Sequence, residues 1–244
     1  ATVSRVLSKS GYPVKEELSQ RIIETAQRLN YSPNVIGRML KKNESRDIGV
    51  IVPNITNPFY PQLILGIEQE ARKRGFDILL CNSFRYQETE KKYIQSLYQK
   101  QVGGLIISSI DESHSYLKQM QKLGIKMVVF DEDVSGIKCS RVGFDYVKGG
   151  IMAVNHLVEM GHKSIAFVSS PLTKKSRKET LEGFKLGLYR NGIEFSDESI
   201  VISEKEEEYE NGTYEFENGK RLVEQIVRIG KVPTAIFAVN DMTA

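Results

Sequence analysis

The amino-acid sequence predicts an α/β protein with two doubly wound parallel-sheet subdomains, preceded by a short all-α segment. From Asp47 onward, short apolar runs rich in β-branched residues alternate with longer segments of helical periodicity. Continuous apolar strands separated by helices are typical of parallel sheets that are covered on both faces. The alternation passes through two successive sets, which favours two subdomains over one long sheet.

The first set contains five predicted strands. The first is IGVIVP at residues 48–53, and the helix after it has Leu63, Ile67 and Ala71 at helical spacing, with Gly75 as its end. The later strands are FDILLCNS, residues 103–109, residues 126–131 and the short run RVGFD.

The second set repeats the pattern with three predicted strands. The strands are residues 164–170, ESIVIS and residues 234–240, and the helices run from about Val147 to Met160, from Lys178 to Asn191 and to a point near Ile229. Ligands of doubly wound folds bind at the carboxyl ends of the strands. In a two-lobed protein these ends face a shared cleft, so we expect a ligand there.

The composition argues against several classes of protein. The chain has 244 residues, of which 40% are hydrophobic and 27% charged, as in soluble globular proteins. No apolar run approaches the roughly 20 residues that a membrane span needs, and no basic-then-apolar leader opens the sequence. We therefore expect a cytoplasmic protein without a membrane contact. Cys81 and Cys139 lack metal-ligand spacing, the three histidines are scattered, and no nucleophile motif or phosphate loop is present. We expect no metal, no cofactor and no enzyme activity.

The net charge of +3 hides an asymmetry along the chain. Residues 1–46 hold nine basic and four acidic residues, a net of +5, which leaves −2 for the remainder. A basic end on a slightly acidic body indicates a local contact with a polyanion.

The basic end begins with a helical pattern. In TVSRVLS, Val3, Val6 and Leu7 lie on one stripe, while Arg5 and the small hydroxyl residues project elsewhere. An arginine there is suited to a bidentate contact with a guanine edge, and the hydroxyls are suited to phosphate oxygens. The alternative is an ordinary surface helix.

A second helix would pack on that stripe through an apolar face that contains Leu18, Ile22, Ala26 and Leu29. Two helices of about thirty residues cannot form a stable core unaided, so we expect a partner helix before Ala1. The segment NVIGRMLKK then carries an apolar set that includes Met39 and Leu40 in a basic frame. Three explanations remain open: a second copy covers the set, the DNA minor groove accepts it as a wedge, or it packs on its own body.

These motifs together resemble the LacI/GalR family. The resemblance rests on TVSRVL, RLNYSPN, NVIGRMLKK, IGVIVPNITNPFY, HLVEMGHKSIAFVS and PTAIFAVND, in consistent order along essentially the whole chain. It implies a dimeric bacterial transcription regulator with a periplasmic-binding-protein-like body that binds a small molecule. The implied domains are a partial helix-turn-helix domain at 1–33, a hinge helix and linker at 34–46, an N-subdomain at 47–145 and an incomplete C-subdomain at 146–244. We expect a chain truncated at both ends.

The resemblance also implies roles for individual residues. It places contacts to operator DNA, including a leucine levered into the minor groove, at Thr2, Ser4, Arg5, Tyr31, Asn34, Arg38, Leu40 and Lys41. It places the effector, a sugar or sugar derivative, against Phe59, Tyr60, Ser108, Asp131, Phe144, Asp145 and Asn240. Within that set Ser108 is a weaker candidate, as is Ser109 beside it. For Asp131 and Asp145, helix capping is an open alternative.

One departure bears on the effector. Sugar-binding members of the family usually carry an arginine three residues before the glycine of a GF pair, and Thr180 occupies that position before Gly183 and Phe184. Arg177 lies nearly one turn earlier and can substitute only with a shifted geometry. The loss of a forked donor raises the alternative that the co-repressor is a phosphorylated carrier protein. A solute-binding protein is the remaining alternative, but it would need an export leader and no basic segment.

Overall fold

The structure, a computed structural model, describes residues 2–7, 11–31, 45–132, 134, 136–205, 214–230 and 232–244. The chain divides into two compact units, residues 1–45 and residues 46–244. The predicted α/β class with two parallel sheets is confirmed.

The first unit contains helices α1 (Thr2–Leu7) and α2 (Glu16–Arg28), and neither helix has a buried residue. Val6 and Leu7 are half-buried and line an open groove with Tyr12 and Ile23. By contrast, 68% of Leu29 is exposed. Two short helices bury too little apolar surface to close a core, as the sequence predicts.

The second unit begins with the N-lobe, which we define as β1 through β5 and the helices between them. Its five parallel strands lie in the order β2-β1-β3-β4-β5. The elements of the N-lobe are β1 (Asp47–Val52), α3 (Phe59–Lys73), β2 (Asp77–Asn82), α4 (Gln87–Gln99), β3 (Gly104–Ile107), α5 (Ser115–Lys122), β4 (Met127–Phe130) and β5 (Ser140–Val142).

The C-lobe comprises the elements from α6 to β8, with three parallel strands in the order β7-β6-β8. Its elements are α6 (Tyr146–Glu159), β6 (Ile165–Ser169), α7 (Lys175–Arg190), β7 (Ile200–Ile202), α8 (Tyr214–Ile229) and β8 (Ala235–Ala238). The predicted start of α7 at Lys178 is wrong, because Lys175 and Arg177 are good helix formers and extend the helix by most of a turn.

Both sheets are covered on two faces, as the continuous apolar strands predict. Along β1, Ile51 packs in one core cluster while Val50 and Val52 pack in another against α3. Along β6, Phe167 packs with Phe184 and Val168 packs in the cluster that contains α8 residues. Successive side chains of a strand point to opposite faces, so each strand supports two cores.

Helices α6 and α7 meet at two glycines. A Cβ atom built on Gly183 would lie 2.2 Å from the carbonyl oxygen of Val147, and one on Gly150 would lie 2.7 Å from that of Thr180. Both obstructions are backbone atoms, which cannot rotate aside. The close approach fixes α7 relative to α6, and α7 carries the charged groups described below.

We expect Gly183→Ala to destabilise the protein by about 1–3 kcal/mol, because the added methyl must push the two helices apart. Urea unfolding followed by circular dichroism measures the change. Gly149→Ala is the matched control, since a Cβ there meets no atom within 4 Å. In the control, alanine's better helix propensity should leave stability unchanged or slightly raised. Equal stability of the two variants would contradict the tight seam.

Candidate functional site

An aromatic cluster lies where the strands of the N-lobe end. The rings of Phe59 and Tyr60, in the first turn of α3, have centroids 5.1 Å apart, and Phe144 lies 5.8 Å from Phe59. Tyr146 extends the cluster, with its ring centroid 5.9 Å from that of Phe144. The structure therefore brings together three of the predicted residues, Phe59, Tyr60 and Phe144, although 58% of Phe144 is exposed.

Asp131 follows β4 and joins this cluster through its carboxylate. The Tyr146 hydroxyl donates a hydrogen bond to Asp131 Oδ1. Burial raises the pKa of Asp131, while the Tyr146 hydrogen bond and the nearby Lys174 and Arg177 act against that rise. Burial and the Asp131 charge raise the pKa of Tyr146. The Tyr146 phenol therefore keeps its proton at neutral pH and donates it to Asp131.

Tyr60 lies in the same environment and is 5% exposed. Burial raises the pKa of its hydroxyl, the charge of Asp131 acts in the same direction, and the charges of Lys174 and Arg85 oppose both. Ser108, fully buried just after β3, also acts to lower the pKa of this hydroxyl. Predicted residues from three strand ends thus share one polar site.

Ser109, the weaker candidate, has a structural partner. Its hydroxyl donates to Glu90 Oε1 at 2.6 Å, and the Ile110 amide donates to Glu90 Oε2 at 2.9 Å. Burial raises the pKa of Glu90, which is 2% exposed. Glu90 therefore holds the loop after β3 in place, and the Ser109 hydroxyl is one of the two groups that bind it.

Two predicted residues cap the segments that follow them. Asp145 Oδ1 accepts a hydrogen bond from the Lys148 amide at 2.8 Å and caps α6, as the capping alternative predicts. Asn240 Oδ1 accepts from the amide and hydroxyl of Thr243 at 2.9 and 3.0 Å. The Asn240 amide nitrogen also donates to Glu215 Oε1 at 3.0 Å, so this side chain belongs to a larger network.

Charged residues that the sequence did not single out face each other across the two lobes. Lys174 Nζ, just before α7, lies 3.8 Å from Glu132 Oε1, and their side chains are only 14% and 11% exposed. Burial raises the pKa of Glu132 to about 7, although Lys174 lowers it in part. The spacing of these residues carries no recognisable motif, and only their proximity in the fold identifies them.

Arg177 brings a guanidinium to this region, whereas Thr180 does not bring its hydroxyl there. Arg177 is 6% exposed, donates to the Pro171 carbonyl at 2.9 Å, and its charge lowers the pKa of both Asp131 and Glu132. The Thr180 hydroxyl donates to the Ser176 carbonyl of its own helix at 2.8 Å.

A second charged contact joins the lobes through Glu215, in the first turn of α8. Arg85 Nη2 lies 3.0 Å from Glu215 Oε1, and Asn57 Nδ2 donates to Glu215 Oε2 at 2.9 Å. The side chains of Arg85 and Glu215 are 9% and 7% exposed. The sequence does not predict the pair of Arg85 and Glu215. The motif NITNPFY contains Asn57, but nothing in it indicates that Asn57 contacts Glu215.

In the first unit, Thr2, Ser4 and Arg5 are exposed on α1, and 58% of Tyr31 is exposed. The guanidinium carbon of Arg5 lies 4.0 Å from the centre of the Tyr12 ring, a cation–π contact. The remaining predicted DNA contacts lie outside the described residues: Asn34, Arg38, Leu40 and Lys41.

Among the described residues, no group of three or more His, Cys, Asp or Glu side chains could hold a metal ion. No helix there is both long enough and apolar enough to span a membrane.

Comparisons with known proteins agree on one family. Residues 45–244 match the family described as periplasmic binding proteins and sugar binding domain of LacI family. The chain is 33% identical to catabolite control protein A of Priestia megaterium, with 100% of this chain and 71% of that protein covered. It is 30% identical to the HTH-type transcriptional repressor PurR of Actinobacillus pleuropneumoniae serotype 5b, with 100% and 69% covered.

Solved structures are also similar. A periplasmic binding protein/LacI transcriptional regulator from Alkaliphilus metalliredigens, complexed with D-xylulofuranose, has a TM-score of 0.60 and 26% identity. The similarity covers 81% of this chain and 68% of that one.

We expect Glu132→Gln to stabilise the protein at alkaline pH. The folded-state pKa of about 7 exceeds the ordinary value of 4.5, so the native state holds the proton more tightly. The stabilisation from this proton is complete below pH 4.5 and is lost as the pH rises through 7. At pH 8 the variant should be more stable by up to about 3 kcal/mol, and near pH 4.5 the difference should vanish.

Urea unfolding between pH 4.5 and 8 measures this difference. Glu159→Gln, at an exposed position near the end of α6, is the control and should track the original protein at every pH. If the free energy of unfolding varied with pH in the same way for Glu132→Gln and the original protein, the pKa of Glu132 would not be raised by burial.

Proposed function

Because the chain belongs to the LacI family of transcription regulators, we propose that it is a DNA-binding repressor controlled by a small molecule bound between its two lobes. The observation that carries the proposal is the convergence of aromatic, acidic and basic side chains at the strand ends of both lobes. The groups come from separate loops, which suits a ligand that contacts both lobes at once. The regulators it resembles support a role in transcription rather than in catalysis, and a cytoplasmic location.

A carbohydrate or carbohydrate derivative is the effector we propose. The Phe59 and Phe144 rings offer an apolar wall, and Asp131 and the Tyr60 phenol offer an acceptor and a donor for hydroxyl groups. Arg177 adds a forked donor from the C-lobe, and this favours a derivative that carries an acceptor-rich group. The similar regulator from Alkaliphilus metalliredigens was solved with a sugar, D-xylulofuranose.

Operator binding is assigned to the first unit. Arg5 would read a guanine, Thr2 and Ser4 would approach the backbone, and Tyr31 with Asn34 would contact phosphates. Arg38, Leu40 and Lys41 would form a hinge in which Leu40 enters the minor groove. In a homodimer, closure of each body on its effector would reset the spacing of the two hinges, which requires that the effector prefer one state.

A second candidate is a repressor whose co-repressor is a phosphorylated carrier protein. The specific observation in its favour is Thr180, whose hydroxyl bonds its own helix instead of offering a forked donor. A thermal-shift screen of sugars, sugar phosphates and nucleobases on the full-length protein separates the candidates. A hit that also changes operator affinity supports the small-molecule effector; no hit, with an effect of a phosphorylated carrier protein on operator binding, supports the second candidate.

We expect Arg5→Ala to weaken binding of a selected operator by roughly 10–100-fold, because a good bidentate base contact is worth about 1–3 kcal/mol of discrimination. The operator is obtained by in vitro selection with the original full-length protein, and affinities are measured by fluorescence anisotropy across a salt series. Arg5→Lys is the matched control: it keeps the charge and the salt dependence, yet should lose most of the sequence preference. Unchanged selectivity in Arg5→Ala would remove Arg5 from the reader.

A further inference from the structure

The carboxylate of Glu215 is shared by the two lobes. Its oxygens accept hydrogen bonds from Arg85 and Asn57, which belong to loops of the N-lobe, and from Asn240 in its own lobe. The contacts measure 3.0, 2.9 and 3.0 Å and satisfy both oxygens. Two of the three donors therefore tie α8 to the opposite lobe.

The contact between Arg85 and Glu215 is withdrawn from water. With side chains 9% and 7% exposed, both charges have lost most of their hydration. Such a pair adds little net stability, because desolvation offsets the attraction, but separating its members is costly. The pair therefore specifies one arrangement of the lobes more than it stabilises the fold.

The loop that carries Arg85 has an unusual backbone conformation. Phe84 and Arg85 have φ values of +52° and +59°, in the left-handed region that residues other than glycine rarely adopt. The Arg85 amide donates to the Pro53 carbonyl at 3.0 Å, and the Tyr86 amide donates to the Ser83 carbonyl at the same distance. Unusual backbone conformations of this kind persist where the surroundings hold them.

Lys174 and Glu132 form a second bridge between the lobes, on the loop after β4. Their separation of 3.8 Å is longer than a hydrogen bond, so this bridge is an ion pair only. The bridge formed by Glu215 is the tighter of the two.

We infer that Glu215 is an intramolecular latch that holds the two lobes together through side chains of the chain itself. Its carboxylate accepts hydrogen bonds from Asn57 and Arg85 of the opposite lobe, so this contact between the lobes needs no group from outside the chain. The inference rests on the proposed function in one respect only, its consequence for regulation. The strength of the latch sets the fraction of molecules that are closed before an effector binds. If most molecules are already closed, an effector shifts the population less than it would in an open protein.

Small-angle X-ray scattering of the ligand-free, full-length protein tests the latch. Glu215→Gln and Arg85→Met should each increase the radius of gyration as the lobes separate. Glu217→Gln, two residues along the same helix turn and exposed, is the control and should leave it unchanged. Charge reversal in Arg85→Glu alone should also expand the protein, and adding Glu215→Arg should bring it back towards the original value.

A second measurement covers variants that fold poorly. The 244 residues contain no tryptophan, so Tyr86→Trp, next to Arg85 and 54% exposed, adds a fluorophore beside the latch. Its emission should shift when Arg85→Lys, the mildest substitution, weakens the pair. Melting temperatures of the latch variants should fall by on the order of 10 °C.

Lower melting temperatures with an unchanged radius of gyration and unchanged emission would overturn the latch and leave an ordinary buried ion pair. Neither measurement uses DNA or an effector. The latch can therefore fail while operator binding stands, and operator binding can fail while the latch stands.

Discussion

Charges that leave water must find partners, and two buried carboxylates of this protein find a cation on the opposite lobe. Glu132 and Glu215 are both poorly hydrated, and each is met by a cation from across the cleft, Lys174 and Arg85 respectively. Parallel sheets make this arrangement possible, because all their strands deliver loops at the same edge. The contacts between the lobes and the charged groups of the cleft thus share one cause, because each poorly hydrated carboxylate needs a cation beside it.

The contact between Lys174 and Glu132 depends on the position of α7. The backbones of α6 and α7 touch at Gly150 and Gly183, so the axis of α7 has little freedom to shift. The residues before and within its first turn, Lys174 and Arg177, therefore reach the cleft from a fixed base. Phe184, one residue beyond the seam, packs on Phe167 and ties the same helix to the sheet.

Much of this fold follows from local sequence patterns, and so do several residues of the cleft. The strands around Val50 and Phe167 were predicted because a strand buried on both faces must be continuously apolar. Asp131 and Tyr60 were identified because they stand at strand ends within segments similar to a known family. The contact between Arg85 and Glu215 joins residues 130 positions apart, and no local pattern encodes it. The early start of α7 was missed because Lys174 makes no side-chain capping hydrogen bond.

The glycine seam has a consequence for how such a protein can change over evolutionary time. Because the seam is built from backbone atoms, it does not depend on which side chains stand in the cleft. Substitutions at Lys174 or Arg177 alter the chemistry of the cleft while the helix that displays them keeps its place. The fold therefore separates the part that can diversify from the part that must stay fixed, and a new ligand preference can arise without rebuilding the scaffold.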